Sequence, residues 1–245
     1  MKGEDETLDS FYHGKILVLQ KKRGYRFSVD SPLLADFIQT KGSEELLELG
    51  AGCGIISLLL SIKPFRHITA VEIQESLADL ASRNVLLNRL EERITIVHQD
   101  LRSFNPSKKF DVVFSNPPYI KGKRGRLSLL EEKSIAKHEV KCDIFDIMAK
   151  TAELLKEKGR AYFIFPARRE EDFRLALQRN HLKMKTIRFV FPRRNTPPNF
   201  FLSECDFKSR KDTLLAPLVL FDKAGEYTSE AKEIFQGRKH AAYSQ

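Results

Sequence analysis

No run of this chain approaches the roughly 18 consecutive apolar residues that a membrane span needs, and about the first fifteen residues are polar and mixed. A soluble, cytoplasmic protein is expected. Cysteine is scarce: Cys53, Cys142 and Cys205 are widely spaced and form no Cys-x-x-Cys pair, which argues against a disulfide framework or a zinc site. Each is expected to be a small buried apolar side chain. The six histidines are equally scattered, with no metal-ligand spacing among them, so no metal is expected. Internal repeats, low-complexity tracts and linkers are also missing, and 245 residues suit one large α/β domain.

What is present is alternation. Strand-like apolar runs at 46–49, 68–71, 94–97, 110–115, 160–165, 186–191 and 215–221 interleave with helical patterns around 30–40, 55–62, 74–89, 141–157 and 168–181. This order predicts a seven-stranded, mostly parallel sheet with helices on both faces, whose ligands bind at the carboxyl edge. The helix from Gln74 shows an apolar face of Leu77, Leu80, Ala81, Val85 and Leu86. Gly159 reads as the C-cap of the 141–157 helix, and Ser or Asp as the cap of a helix whose first turn takes Pro32.

The first strand runs through Glu48 into Gly50-Ala51-Gly52-Cys53-Gly54, where glycines let a ligand approach the backbone at a helix N-terminus. The next strand ends at Glu72-Ile73, about twenty residues on, where a carboxylate accepts both hydroxyls of a ribose. A third ends near Asp100-Leu101, whose carboxylate can accept from an adenine amine. A dinucleotide site would need its third glycine at position 55, and Ile55 stands there. The Gly-x-Gly-x-Gly turn instead suits S-adenosyl-L-methionine, which has no pyrophosphate to cradle. Phe27 and Asp30, placed over this turn, would close the methionine end of the cofactor, with residues 1–40 as an extension and lid.

Asn116-Pro117-Pro118-Tyr119 follows the apolar run 110–115. An exocyclic amine keeps its lone pair in the π system, so it must be held and turned before it can attack. The Asn116 amide oxygen and the Pro117 carbonyl each accept one N–H, the two prolines stiffen the turn, and Tyr119 stacks on the substrate plane. This is a site for methylating nitrogen.

Charge is uneven: residues 1–120 hold 15 Lys/Arg against 16 Asp/Glu, leaving 27 against 17 for residues 121–245. Lys121, Lys123, Arg124 and Arg126 follow the Asn116 turn within a basic substrate-side loop, 121–140, and Arg193-Arg194 form a second run. Such cations suit phosphate contacts to a nucleic acid, and the glycine-containing run Lys121 to Arg126 beside the Asn116 turn favours that reading, whereas for Arg193-Arg194 alone a solvated face is the better explanation.

The chain resembles the bacterial tRNA adenine-N6 methyltransferases that modify the adenosine just 3′ of the anticodon in a valine tRNA. The residues carrying this are Gly24-Tyr25-Arg26-Phe27-Ser28-Val29-Asp30, the Glu48 to Gly54 turn, Ser115 to Tyr119, Ile135-Ala136-Lys137-His138-Glu139, and the ending from Pro217 through Gly225-Glu226-Tyr227-Thr228-Ser229-Glu230. The resemblance implies a Rossmann-like fold, S-adenosyl-L-methionine at the glycine turn, Glu72 and Asp100, and adenine at Asn116 to Tyr119. Ile120 stands where many relatives carry an aromatic. Ser115 to Ile120 also resembles the enzymes that methylate a release-factor glutamine, which carry a helical domain ahead of the glycine turn; only 47 residues precede Glu48 here. A non-catalytic RNA-binding module would need neither Asn116 nor the glycine turn.

Overall fold

The structure is a computed structural model that describes residues 3–23, 28–117 and 142–237. The N-terminal segment, polar by composition, folds as an antiparallel hairpin of β1 (Glu6–Phe11) and β2 (Ile16–Lys21). Ile16, Val18 and Leu19 of β2 are buried, so the hairpin packs on the main body.

Helix α1 (Asp30–Phe37) follows, then β3 (Glu45–Leu49), α2 (Ile55–Leu60), β4 (His67–Glu72), α3 (Glu75–Leu87), β5 (Ile94–His98) and β6 (Phe110–Ser115). Beyond residue 141 come α4 (Ile144–Leu154), β7 (Leu155–Pro166), α5 (Glu170–Arg179), β8 (Lys183–Phe191), β9 (Phe200–Asp206), β10 (Thr213–Leu214), β11 (Leu218–Val219) and α6 (Ser229–Gln236). The sheet order is β10-β8-β9-β7-β6-β3-β4-β5, with β11 also on β8. All pairs are parallel except those of β9, which runs against both β7 and β8.

Strand alternation divides the core into two layers. Leu46, Val112 and Tyr162 pack with α1, α2, α3 and α6, while their neighbours Leu47, Val113 and Phe163 pack with α4 and α5. On the second face Phe173 of α5 meets Phe163, Phe165 and Phe201 with ring centroids 5.1–5.7 Å apart. No helix among the described residues is long and apolar enough to cross a membrane.

Among the described residues seven strands of five residues or more build the sheet, but they are not the seven expected. The run 215–221 is broken: Thr213–Leu214 and Leu218–Val219 pair separately on β8, and Pro217 between them has no N–H for a ladder. The seventh long strand is β9. Helix α4 stops at Leu154, because Leu155 is already extended (φ −76°, ψ 135°) and opens β7. Gly159 therefore sits inside β7, where the register with β6 shifts; a Cβ there would lie 2.6 Å from Leu155 Cδ1. Helix α1 begins at Asp30 with no side-chain cap. Of the face expected on α3, Leu77, Leu80, Ala81 and Val85 are buried, but Leu86 is 62% exposed.

Candidate active site

The carboxyl ends of β3, β4, β5 and β6 lie side by side, as the parallel order requires. After β3 the N–H groups of Gly50 and Ala51 both donate to the Val71 carbonyl, at 2.9 and 3.0 Å, which folds the glycine turn against the end of β4. Gly50, Gly52 and Gly54 adopt φ of +77°, +57° and +80°, the left-handed region that other residues avoid. The two outer glycines answer different needs. A Cβ on Gly54 would come 3.3 Å from the Ala81 Cβ of α3, whereas a Cβ on Gly50 meets nothing within 4 Å.

Glu72 ends β4 buried, with Oε2 accepting from Gly52 N at 2.8 Å and Oε1 from Gln74 N at 2.9 Å. Two backbone donors thus aim the carboxylate while leaving lone pairs for a ligand. Asp100, after β5, is held by Arg102 through both carboxylate oxygens at 2.6–3.1 Å, a partner that sequence reasoning missed. The guanidinium keeps the Asp100 carboxyl below its usual range. At the end of β6, Ser115 Oγ donates to the Leu49 carbonyl at 2.7 Å and fixes the Asn116 turn to the glycine turn.

These elements enclose a cavity of about 250 Å³ lined by the expected Gly50, Gly52, Glu72, Ile73, Asp100, Leu101 and Asn116. Among the described residues Val71, Gln74, Leu77, Gln99, Cys142 and Ile147 also line it, and sequence reasoning named none of them for the site. The two glutamines follow strand ends already singled out; Cys142 and Ile147 arrive from a distant part of the chain and carried no signal. Cys142 is half-buried rather than a core residue, unlike Cys53 and Cys205, and burial pushes its thiol up to about 12. It stays a neutral wall.

Three expected residues sit behind the wall. Glu48 is fully buried beneath the turn; Oε2 accepts from Ser57 Oγ and Oε1 has no hydrogen-bond partner among the described residues. Burial pushes its carboxyl up to about 8, with the nearby Glu72 charge adding to the rise. Cys53 is buried, and its carbonyl accepts from Asn84 Nδ2 at 3.0 Å. Gly54 forms the N-cap of α2. Asp30, also buried, accepts from Ser28 Oγ at 2.7 Å and Ser31 N at 2.9 Å and is not in the cavity wall.

Pro117 is described and buried, but Phe27, Pro118, Tyr119, Lys121, Lys123, Arg124 and Arg126 lie outside the described residues, as does the loop 121–140. Arg193 and Arg194 are exposed in the connection from β8 to β9. Among the described residues no three His, Cys, Asp or Glu side chains gather where a metal ion could be held.

Residues 25–186 match the family described as the methyltransferase small domain. A protein of Flavobacteriaceae bacterium (strain 3519-10) named tRNA1(Val) (adenine(37)-N6)-methyltransferase is 28% identical over 222 residues, covering 90% of this chain and 93% of its own. A Bacteroides thetaiotaomicron protein of the same name is 26% identical over 230 residues, covering 92% and 96%. Among solved structures, a predicted O-methyltransferase from Agrobacterium tumefaciens superposes with a TM-score of 0.68 at 19% identity, over 85% of this chain and 96% of that one. The M. jannaschii TYW2 structure in complex with AdoMet gives 0.56 at 17% identity, over 84% and 88%. The chain belongs to the methyltransferase small domain family.

Proposed function

We propose that this methyltransferase uses S-adenosyl-L-methionine to methylate the exocyclic N6 of an adenosine in tRNA, next to the anticodon. The observation that carries this is Asn116 in one cavity with Gly50, Gly52, Glu72 and Asp100. The names of the relatives, which specify adenine 37 of a valine tRNA, support the same substrate.

The residues present fit the cofactor. Gly50 leaves its outer side open, Glu72 offers an aimed carboxylate for ribose hydroxyls, and Asp100 retains lone pairs for an adenine amine. When bound, S-adenosyl-L-methionine supplies an electrophilic methyl group on its sulfonium.

The chain's own part is positioning. Asn116 Oδ1 and the Pro117 carbonyl accept the two N–H bonds of the target amine and turn its lone pair out of the ring plane, and Tyr119 stacks on the base. Orientation of this kind contributes up to about 7–11 kcal/mol in intramolecular reactions. A general base is unnecessary, because the amine becomes acidic only once methylated and then loses its proton to water.

The test is methyl transfer from labelled S-adenosyl-L-methionine to total RNA from cells lacking the protein, with a peptide release factor as a parallel acceptor. Label recovered as N6-methyladenosine in the tRNA fraction supports the reading. Label in the release factor alone replaces the substrate, and label in neither removes the activity.

A further inference from the structure

The carboxyl edge of the sheet continues past Asn116 onto a half that the methyl-transfer site does not use. Because β9 runs against β7 and β8, the end of β7, the end of β8 and the start of β9 all lie on that edge. Backbone bonds close it: Ala167 N donates to Asn199 O at 3.0 Å, Asn199 N to Val190 O at 2.9 Å, and Phe221 N to Pro192 O at 2.9 Å. Arg168, Arg193, Arg194 and Lys223 therefore follow one another along the same edge as Asn116.

Between the 193–196 turn and the segment after β11 lies an open cleft of about 820 Å³, lined by Arg193, Arg194, Lys223 and Phe221. Its acids are already engaged. Asp222 Oδ1 accepts from Ala224 N and Glu226 N at 2.9 and 3.0 Å, and Glu230 pairs with Arg188 at 2.8 Å. The side chains of Arg193, Arg194 and Lys223, by contrast, have no carboxylate partner among the described residues, whereas Arg160 and Arg174 on the same half are paired. Phe221 is stacked on Tyr227 at 4.7 Å, which is braced in turn by Phe235, so an aromatic surface is held rigidly beside the cations.

Unpaired cations flanking a fixed aromatic ring match a strand that is anionic along its backbone and planar in its bases. An acidic peptide would use the charges but not the ring. We propose that this cleft holds the sugar–phosphate backbone of the substrate RNA on the same sheet edge as Asn116, three strands from the nucleotide presented there. The inference rests on the tRNA reading above.

The experiment compares two triple variants of the full chain: R193A/R194A/K223A in the cleft, and K183A/R210A/K211A, which removes the same charge from exposed positions at the opposite, amino edge of the sheet. tRNA binding is titrated against salt, cofactor binding is followed by calorimetry, and folding by thermal denaturation. Each phosphate that is no longer neutralised flattens the plot of log K against log salt by about 0.7–0.9. The cleft variant is expected to flatten the slope by about 2 and to raise the KM for tRNA about tenfold, with cofactor affinity and melting temperature kept. The amino-edge variant should behave as wild type, and R193K/R194K should restore the slope. Equal slopes in the two triple variants, or a loss confined to melting temperature, would overturn the proposal. If the wild type binds tRNA but methylates none, the activity reading fails while the slope still decides the cleft.

Discussion

Asn84 holds Leu19 as a neighbouring strand would: its Oδ1 accepts the Leu19 N–H at 2.7 Å and its Nδ2 donates to the Leu19 carbonyl at 3.1 Å. One turn on, Asn88 repeats the pair with Leu17, at 2.9 and 2.7 Å. Four helical residues rise about 6 Å and two strand residues about 6.6 Å, so the two amides keep register with β2. Since Asn84 Nδ2 also reaches the Cys53 carbonyl, one buried side chain ties the hairpin to the glycine turn.

Asn84→Ala removes partners from three backbone groups at a fully buried position. We expect a loss of about 1–3 kcal/mol in stability, read by urea denaturation, together with weaker cofactor binding. Asn88→Ala, at a half-buried position, should cost less and leave cofactor binding alone. Equal behaviour of the two variants would deny Asn84 its link to the turn.

The two outer glycines separate fold from ligand. Gly54→Ala meets Ala81 and should lower the melting temperature markedly; Gly50→Ala meets nothing within 4 Å among the described residues and should cost only about 1–2 kcal/mol of backbone strain. Cofactor affinity should fall in the Gly50 variant by far more than that stability change implies. Unchanged affinity would mean that the open side of Gly50 faces no ligand.

Glu72 and Asn116 are expected to divide binding from turnover. Glu72→Ala loses a carboxylate held by two backbone donors, and cofactor affinity should drop about ten- to hundredfold by calorimetry, the scale of hydrogen bonds to a charged group. Asn116→Ala should leave cofactor affinity nearly intact and cut kcat about a hundredfold or more, the scale of lost alignment. Normal turnover in that variant would remove Asn116 from the mechanism.

Glu48 makes stability depend on pH in an unusual direction. Its carboxyl is raised from 4.5 to about 8 in the fold, chiefly by burial, so the folded state keeps a proton that the unfolded chain releases above pH 4.5. The stabilising contribution is full below pH 4.5 and is lost as pH rises through about 8. Glu48→Gln keeps the shape and removes the titration. Its stability relative to wild type, from chemical denaturation in the absence of cofactor, should increase steadily between pH 5 and 8; a constant difference would show that Glu48 is ionised throughout.

The parallel half of the fold was legible because each of its strands is a short apolar run that leads into a residue suited to binding or chemistry, as at Gly50, Glu72, Asp100 and Asn116. The hairpin was not, since β1 alternates polar residues with few apolar ones, and although Ile16, Val18 and Leu19 of β2 are buried, its backbone is held by asparagine side chains that leave no periodicity to read. Strand β9, Phe-Phe-Leu-Ser-Glu-Cys-Asp, was missed for a related reason: it is an antiparallel return with no glycine turn or helix after it to punctuate it. Arg102 on Asp100 escaped notice because an ion pair two residues apart leaves no periodicity. Gly159 was read as a cap because the cations before it mimic a helix end, while the need it meets is steric and local.

The reversal at β9 also bears on how such an enzyme can diversify. By sending the chain back down the sheet, it puts the 192–199 connection on the same carboxyl rim as Asn116 while anchoring both of that connection's ends in ladder bonds of the core. Residues can be inserted, deleted or recharged there without moving Gly50, Glu72 or Asp100, which stand on the far arm of the sheet. On the reading proposed above, lineages can therefore change which acceptor is held while leaving the residues assigned to the methyl donor untouched.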